Sequence, residues 1–96
     1  MKFDWFKPKA ESNIEKHDGV SFEEATTAFD DPMQTVLVDD AHSEGEERFI
    51  LLATSVQGRV LTISYTERGD VTRRIISARE ATRQERREYE SHYYDS

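Results

Sequence analysis

The chain has 96 residues and no cysteine, so its length fits one domain with one modest core, and neither disulfides nor thiolate metal ligands contribute. Its net charge of −7 argues against non-specific binding of nucleic acid, which needs a net basic field. No apolar run approaches the roughly 18 to 20 residues that a membrane span needs, and Met1–Trp5 lacks the apolar region of a signal peptide. We therefore expect a cytoplasmic protein with no membrane contact.

The charges are unevenly distributed along the chain. Residues 1–47 contain four lysines and 13 acidic residues, a net charge of −9, whereas residues 48–96 contain nine arginines and seven acidic residues, a net charge of +2. Seven of the nine arginines lie between Tyr65 and Tyr89. Because guanidinium groups match phosphate oxygens bidentately, this segment indicates a local site for RNA, DNA or an acidic partner.

The first elements are predicted to be a short strand and a helix. The alternating aromatic segment Phe3–Phe6 is typical of an edge strand that packs on the core. Pro8 is tolerated in a first helical turn, and Ala10, Ile14 and His17 share one face at helical spacing. We expect this first helix to end at Asp18-Gly19.

A second helix is predicted by a capping pattern. Ser21 is placed as the N-cap with Glu24 three residues later, the spacing of a capping box, and Val20 precedes them as a hydrophobic staple. Phe22, Ala25 and Phe29 form the apolar stripe. The helix should end before Asp31-Pro32, because a residue that precedes proline avoids helical backbone angles.

The middle of the chain predicts antiparallel strands. Four segments are rich in β-branched and aliphatic residues, namely 35–38, 48–54, 59–66 and 71–76. Gln57-Gly58 and Arg68-Gly69-Asp70 are turn signals between them. Since successive side chains of a strand point to opposite faces, Arg73 and Arg74 should lie on opposite sides of the sheet.

A last helix is predicted to begin near Ala78, with Ser77 as its N-cap and Glu80 completing a capping box. Arg79, Arg83 and Arg87 would then recur at four-residue spacing on one face and repel one another. Either the surrounding glutamates offset this repulsion, or a bound anion or an acidic partner chain does.

These elements predict one α+β domain over residues 1–96 in the order β-α-α-β-β-β-β-α. Its antiparallel sheet would carry the helices on its faces.

Several motifs occur in a characteristic order. They are Lys16-His17, Gly19-Val20-Ser21-Phe22-Glu23-Glu24-Ala25, Arg74-Ile75-Ile76-Ser77-Ala78-Arg79, Ala81-Thr82 and Glu85-Arg86. Together they resemble the BrnT family of small type II toxins over nearly the whole chain. The resemblance implies a RelE-like ribonuclease fold and an RNA substrate. It also implies a BrnA-like antitoxin with a ribbon-helix-helix part, a hetero-oligomeric complex, and contact with operator DNA only through that antitoxin.

Metal-independent cleavage of RNA uses the adjacent 2′-hydroxyl as its nucleophile. The site therefore needs a proton acceptor, cations for the charge on the phosphorane, and a proton donor to the leaving 5′-oxygen. Arginine suits the second role, and we expect Arg68, Arg74 and Arg79 to hold the phosphate, aided by free amides near Ser77.

The candidates for proton transfer are two histidines, one glutamate and one tyrosine. Histidines titrate in the useful range, but His17 lies on the apolar side of the first helix, and His42 lies in a polar loop beside acidic residues. A hydrogen-bonded core histidine and a solvated loop histidine are the structural alternatives. Glu47 and Arg48 could act as base and phosphate ligand, or form an ordinary ion pair, whereas for Tyr65 core packing is the preferred interpretation.

We expect neither a metal nor a cofactor, since the acids around His42 fit no defined ligand spacing. The alternative to an endoribonuclease is a non-catalytic interaction module and co-repressor, whose Arg79, Arg83 and Arg87 bind an acidic segment of the antitoxin. The same arginines would serve either purpose, so the sequence does not separate the two functions.

Overall fold

The computed structural model describes residues 1–69 and 71–94 of the chain. Its elements are β1 (Lys2–Trp5), α1 (Lys7–Lys16), α2 (Phe22–Ala28), β2 (Thr35–Val38), a short 3₁₀ helix (Asp40–His42), β3 (Arg48–Thr54), β4 (Val60–Arg68), β5 (Thr72–Glu80) and α3 (Arg83–Tyr94). The predicted turn at Arg68-Gly69-Asp70 includes Asp70, which lies outside the described residues. None of the described helices has both the length and the apolar composition of a membrane span.

The five strands form one sheet in the order β1-β5-β4-β3-β2. The α+β class and the edge position of the first strand are confirmed. The prediction of a wholly antiparallel sheet is wrong, because β1 pairs with β5 in parallel, whereas the other three pairs are antiparallel. The chain between β1 and the other strands contains two helices, and such long connections allow parallel pairing.

The main core lies between one face of the sheet and the helices α1 and α2. Phe22, Leu51, Leu61 and Ile63 are fully buried there, and rings of the first strand pack against the same cluster. The predicted stripe of α2 is confirmed, since Phe22, Ala25 and Phe29 are all buried. Tyr65 is also in this core, stacked on Phe49 with the ring centroids 5.5 Å apart, as its packing interpretation predicted.

The buried side of α1 differs from the prediction. Ala10 is buried, but Ile14 is 43% exposed, and the polar Asn13 is buried in its place. The Asn13 amide donates to the carbonyl of Val20 (2.9 Å) and to that of Ala78 (2.7 Å). Its oxygen accepts from the backbone N–H of Ala78 (3.2 Å). One side chain therefore joins α1 to the start of α2 and to β5.

The predicted cap of α2 is present, but its glutamate has another role. The hydroxyl of Ser21 accepts from the backbone N–H of Glu24 (2.9 Å). The Glu24 carboxylate does not complete a capping box; it is 4% exposed and accepts hydrogen bonds from Arg59 and Ser55. The bond from Arg59 holds the pKa of Glu24 below its ordinary value, although burial opposes this.

The last helix begins later than predicted. Ser77–Glu80 belong to β5, which pairs with β4 as far as Glu80, so Ser77 is not an N-cap. The capping box is instead formed by Thr82 and Glu85: the carboxylate accepts from the Thr82 N–H (2.8 Å), and the Thr82 hydroxyl accepts from the Glu85 N–H (3.2 Å). The predicted capping box of Ser77 and Glu80 lies five residues before the observed one. Its residues do not form a cap, because they pair with β4 as a strand.

Glu85 also ties α3 to the sheet. Its carboxylate accepts from Arg79 at 2.7 and 2.9 Å and from the hydroxyl of Thr62 at 2.9 Å. The bond to Arg79 is the largest influence on the carboxyl, and the pKa of Glu85 falls to about 2. Farther along the helix, the Tyr89 hydroxyl donates to Asp31 (2.5 Å).

Replacing Asn13 with alanine should lower the free energy of unfolding by about 2 to 4 kcal/mol, because backbone groups of two other elements lose buried partners. Urea unfolding followed by circular dichroism measures this. Ile14→Ala, an exposed change on the same helix, should cost less than about 1 kcal/mol. Equal losses in the two variants would show that Asn13 does not join the elements.

Replacing Glu85 with glutamine should reduce the acid sensitivity of folding. A carboxyl whose pKa is lowered by folding stabilises the native state above its unfolded pKa, and this stability is lost as the pH falls from about 4.5 towards 2. Melting temperatures of wild type and Glu85→Gln, measured at pH 7 and pH 3, should differ more at pH 7 than at pH 3. Glu90→Gln, an exposed change on the same helix, should follow the wild type at both values. A Glu85→Gln deficit of the same size at both pH values would contradict the assignment.

Candidate active site

A row of polar side chains crosses the face of the sheet opposite the main core. Arg48 on β3, Thr66 on β4 and Arg74 on β5 are register partners. Each neighbours a core residue on its own strand, so strand alternation turns all three to the other face. Because adjacent strands lie about 4.8 Å apart, the two arginines flank the threonine.

A β-bulge decides which arginines share this face. Ser64 pairs with Ser77, but Tyr65 pairs with Ile75, so β5 contains one extra residue at Ile76. Regular alternation would put Arg74 and Arg79 on opposite faces, since they are five residues apart. The extra residue puts both on the face of Thr66, and bulges re-aim side chains in this way.

The row borders a cavity of about 170 Å³ that gathers cationic side chains from four elements. Its lining residues are Phe6, Lys9, Glu46, Arg48, Thr66, Arg68, Arg74, Ile75 and Ile76. Four of them are cationic and one is anionic. The chain as a whole is acidic, so this cavity is a local cationic site of the kind that binds an anion.

Two ion pairs orient the cations at the rim. Arg68 Nε lies 3.5 Å from the Glu46 carboxylate, and an Arg74 nitrogen lies 3.4 Å from Asp4. All four side chains keep between 31% and 53% of their surface exposed. Pairs this exposed contribute little to stability, so the arginines stay available to a ligand.

Thr66 at the centre of the row is 1% exposed. Among the residues that the structure describes, its hydroxyl oxygen has no hydrogen-bond partner. A buried hydroxyl without a partner costs about 1 to 3 kcal/mol, and such groups are rare outside functional or strained sites. Thr66 lines the cavity between its register partners Arg48 and Arg74, where an oxygen of a bound anion could accept the proton of the hydroxyl.

The predicted phosphate ligands are only partly brought together. Arg48, Arg68 and Arg74 line the cavity. Arg79 shares their face, but Glu85 holds its guanidinium through two hydrogen bonds, and this bonding raises the pKa of Arg79. The prediction that Arg79, Arg83 and Arg87 form one helical face is wrong, because Arg79 belongs to β5 and the other two to α3.

His17 is not brought to the cavity. It follows the last residue of α1 and is half-buried, whereas Lys9 lies near the start of that helix. At about 1.5 Å of rise per residue, the two are about 12 Å apart along the axis. The role of His17 in catalysis therefore has no support from the geometry.

His42 ends the short 3₁₀ helix before β3, and neither it nor Glu47 is among the residues that line the cavity. Its ring Nδ1 is 2.9 Å from the Asp39 carboxylate, and its side chain is 65% exposed. The loop is tied to the arginine row, since the Asp39 N–H donates to the carbonyl of Arg48 (2.8 Å) and the Arg48 N–H donates to the Ser43 hydroxyl (3.0 Å). Glu47 is exposed immediately before β3. Within the described residues, no group of three or more histidine or acidic side chains is arranged to hold a metal ion.

Three polar lining residues were not predicted as site residues from the sequence: Lys9, Glu46 and Thr66. Lys9 belongs to a stretch that carries no motif, and Glu46 belongs to the acidic loop around His42, where it was considered only as a metal ligand. Thr66 could have been inferred, since it follows Tyr65 in a strand and must face away from the core that this tyrosine enters.

Comparisons with known proteins agree with this fold. The model of the family described as "Ribonuclease toxin, BrnT, of type II toxin-antitoxin system" matches residues 5–85. The crystal structure of the Brucella abortus ribonuclease toxin BrnT superposes with a TM-score of 0.67 and 22% identity, over 86% of this chain and 99% of that chain. No curated protein matches the sequence. Because the family model spans most of its length, the chain belongs to the BrnT family of ribonuclease toxins of type II toxin–antitoxin systems.

Proposed function

We propose that the chain is a metal-independent endoribonuclease that binds the scissile phosphate of RNA in the cationic cavity. The observation that carries this proposal is the row of Arg48, Thr66 and Arg74, in which the buried hydroxyl of the central threonine has no partner among the described residues. Family membership implies an RNA target. The side chains of the cavity supply the positive charge that metal ions supply in other nucleases.

The cavity has groups for each part of the reaction. Arg48 and Arg74 stabilise the charge that develops on the phosphorane, and the Thr66 hydroxyl donates to one of its oxygens. The Glu46 carboxylate, held beside Arg68, takes the proton of the attacking 2′-hydroxyl. Lys9 is the one ammonium group among the lining residues, and it protonates the leaving 5′-oxygen. His42 and Glu47 stay candidates for proton transfer, because their loop adjoins the Arg48 end of the cavity.

Family membership also implies an antitoxin partner. We propose that the partner is a BrnA-like protein with a ribbon-helix-helix part, that the complex is a hetero-oligomer, and that operator DNA is contacted only through the antitoxin. We further propose that the toxin has a RelE-like fold and acts in the cytoplasm. Arg83 and Arg87, both exposed on α3, are one candidate surface for the contact with this partner, as the sequence predicted.

The alternative function is a co-repressor without cleavage activity. Its arginines would then serve only to bind the antitoxin. A phosphate-sized cationic cavity with a buried free hydroxyl favours the enzyme, because a flat protein contact does not need an unpaired buried donor.

Arg74→Ala should reduce the cleavage of RNA by purified, antitoxin-free protein about 100-fold or more with a chelator present, because one donor to the phosphorane charge is lost. Arg73→Ala is the matched control, since Arg73 lies over the rings of Phe29 and Tyr65 on the opposite face. That variant should cleave within a few-fold of wild type while losing some thermal stability. Equal losses of cleavage in both variants would contradict the site, and loss of wild-type cleavage on chelation would contradict metal independence.

If the folded wild type cleaves no RNA and its induction leaves growth unchanged, the co-repressor function is correct.

Thr66→Val should lower cleavage about tenfold while leaving stability equal or greater, because the variant removes a buried hydroxyl without a partner at nearly constant volume. Thr62→Val is the matched control on the same strand and face. Its hydroxyl donates to Glu85, so its loss should reduce stability by about 1 to 2 kcal/mol and spare cleavage. Thermal melts and cleavage rates of both variants measure this. A destabilised Thr66→Val with normal cleavage would contradict the role of the hydroxyl.

A further inference from the structure

The strand β2 (Thr35–Val38) is an unprotected edge of the sheet. It pairs with β3 on one side, and it ends the strand order. Its side chains Val36, Leu37 and Val38 are 47%, 42% and 49% exposed. Edge strands are commonly protected by lysine, proline or a bulge, and β2 has none of these.

The opposite edge of the sheet is different. In β1 the exposed positions are Lys2 and Asp4, whereas Phe3 and Trp5 turn inward and pack on the core. Charges on the exposed positions discourage the addition of another strand. The two edges therefore differ in kind, and β2 is the one suited to pairing.

The free backbone groups of β2 can be assigned from its pairing. The Asp39 N–H donates to the Arg48 carbonyl directly after the strand. Since hydrogen-bonded and non-hydrogen-bonded pairs alternate in an antiparallel ladder, the groups of Thr35 and Leu37 point towards β3. Those of Val36 and Val38 point outward, where an added strand would bond to them.

The charge around β2 favours a basic partner. Residues 17–47 contain ten acidic residues and no lysine or arginine, and of these acids Glu24 and Glu46 are paired with Arg59 and Arg68. Asp30 and Asp40 flank the strand and are exposed. A second copy of the chain would bring the same acids against one another, and like charges across an interface are unfavourable.

A shallow groove adjoins the strand on the face that carries α3. It encloses about 350 Å³, and its lining includes the apolar Leu37, Ile50 and Leu52 together with Gln84 and Glu88 of the helix. An extended chain added to β2 would point alternate side chains into this groove. An apolar side chain of the added strand would pack on Leu37, Ile50 and Leu52, and a neighbouring basic side chain would reach Glu88.

We propose that β2 is the docking edge for a basic, extended segment of the antitoxin, which adds to the sheet as a strand with apolar residues at alternate positions. Backbone bonds would give affinity, and the groove would give specificity. The proposal rests on the proposed function only in taking the partner to be an antitoxin. It assigns the contact with the partner to β2, and not to Arg83 and Arg87 on α3.

The test uses the full chain and its cognate antitoxin, with binding measured by calorimetry. Val36→Pro removes an outward N–H without breaking the ladder to β3, and it should weaken binding at least tenfold. Val36→Ala keeps that N–H and should weaken binding less. Val36→Lys, which repels a basic segment, should also weaken binding at least tenfold, and it keeps the test valid if the proline variant does not fold. Arg83→Glu with Arg87→Glu should leave the affinity within about threefold.

A second measurement does not depend on the antitoxin. The ¹⁵N-labelled toxin is titrated with a synthetic peptide of alternating valine and lysine, and with one of alternating valine and glutamate. The basic peptide should shift the amide signals of β2 and of the groove, and the acidic one should not. Unchanged affinity in both Val36→Pro and Val36→Lys, or equal binding of both peptides, would overturn the proposal, as would loss of binding in the α3 double variant alone.

Cleavage of RNA tests the proposed function, and binding of the antitoxin tests the docking edge. Val36 and Leu37 lie outside the proposed catalytic residues, so the Val36→Lys protein should cleave RNA at the wild-type rate while escaping inhibition by the antitoxin. If no variant and no wild-type protein cleaves RNA, the enzyme proposal fails, but the binding measurements still decide the docking edge.

Discussion

The antiparallel pairing of β4 with β5 is the constraint on which the rest of the structure depends. It extends β5 to Glu80 and so delays α3 until Thr82 and Glu85 can cap it. It gives Asn13 the Ala78 backbone groups that anchor α1. The bulge within it brings Arg74 and Arg79 to the same face. One pair of strands thus positions two helices and the arginine row, because every backbone bond along it restricts where the neighbouring side chains point.

The arginines of the molecule fall into two groups, those held by hydrogen-bonded glutamates and those that line the cavity. Glu24 and Glu85 each accept several hydrogen bonds, and each holds one arginine, Arg59 and Arg79. Their pKa values are lowered because these bonds favour the ionised forms. Arg68 and Arg74 of the cavity pair with exposed carboxylates, which bind them weakly in water. An acidic protein can therefore have a cationic cavity. Some of its arginines form ion pairs that stabilise the fold, and others face solvent at the cavity.

The cavity and the edge strand β2 adjoin the same strand, β3. Arg48 at the start of β3 enters the cavity, and the residues after it pair with β2. Between the two lies the loop of Asp39–Ser43, which hydrogen-bonds to Arg48 at both backbone groups. A segment that paired with β2 would therefore adjoin the loop that hydrogen-bonds to Arg48 of the cationic cavity. This proximity gives a physical route by which partner binding and RNA binding could exclude each other.

The sequence by itself determined the elements that local chemistry specifies: the capped helix at Ser21, the β-rich middle of the chain, the edge position of the first strand, and the gathering of arginines in the second half. It also indicated that Arg73 and Arg74 face opposite ways. Only the tertiary structure decided that Ser77–Glu80 are strand, because pairing with β4 outweighs a local cap, and that Arg74 and Arg79 share a face, because a bulge shifts the alternation by one residue. It alone brought Lys9, Glu46 and Thr66 together, since residues so distant in sequence meet only through the register of the sheet and the position of α1, which no local pattern encodes.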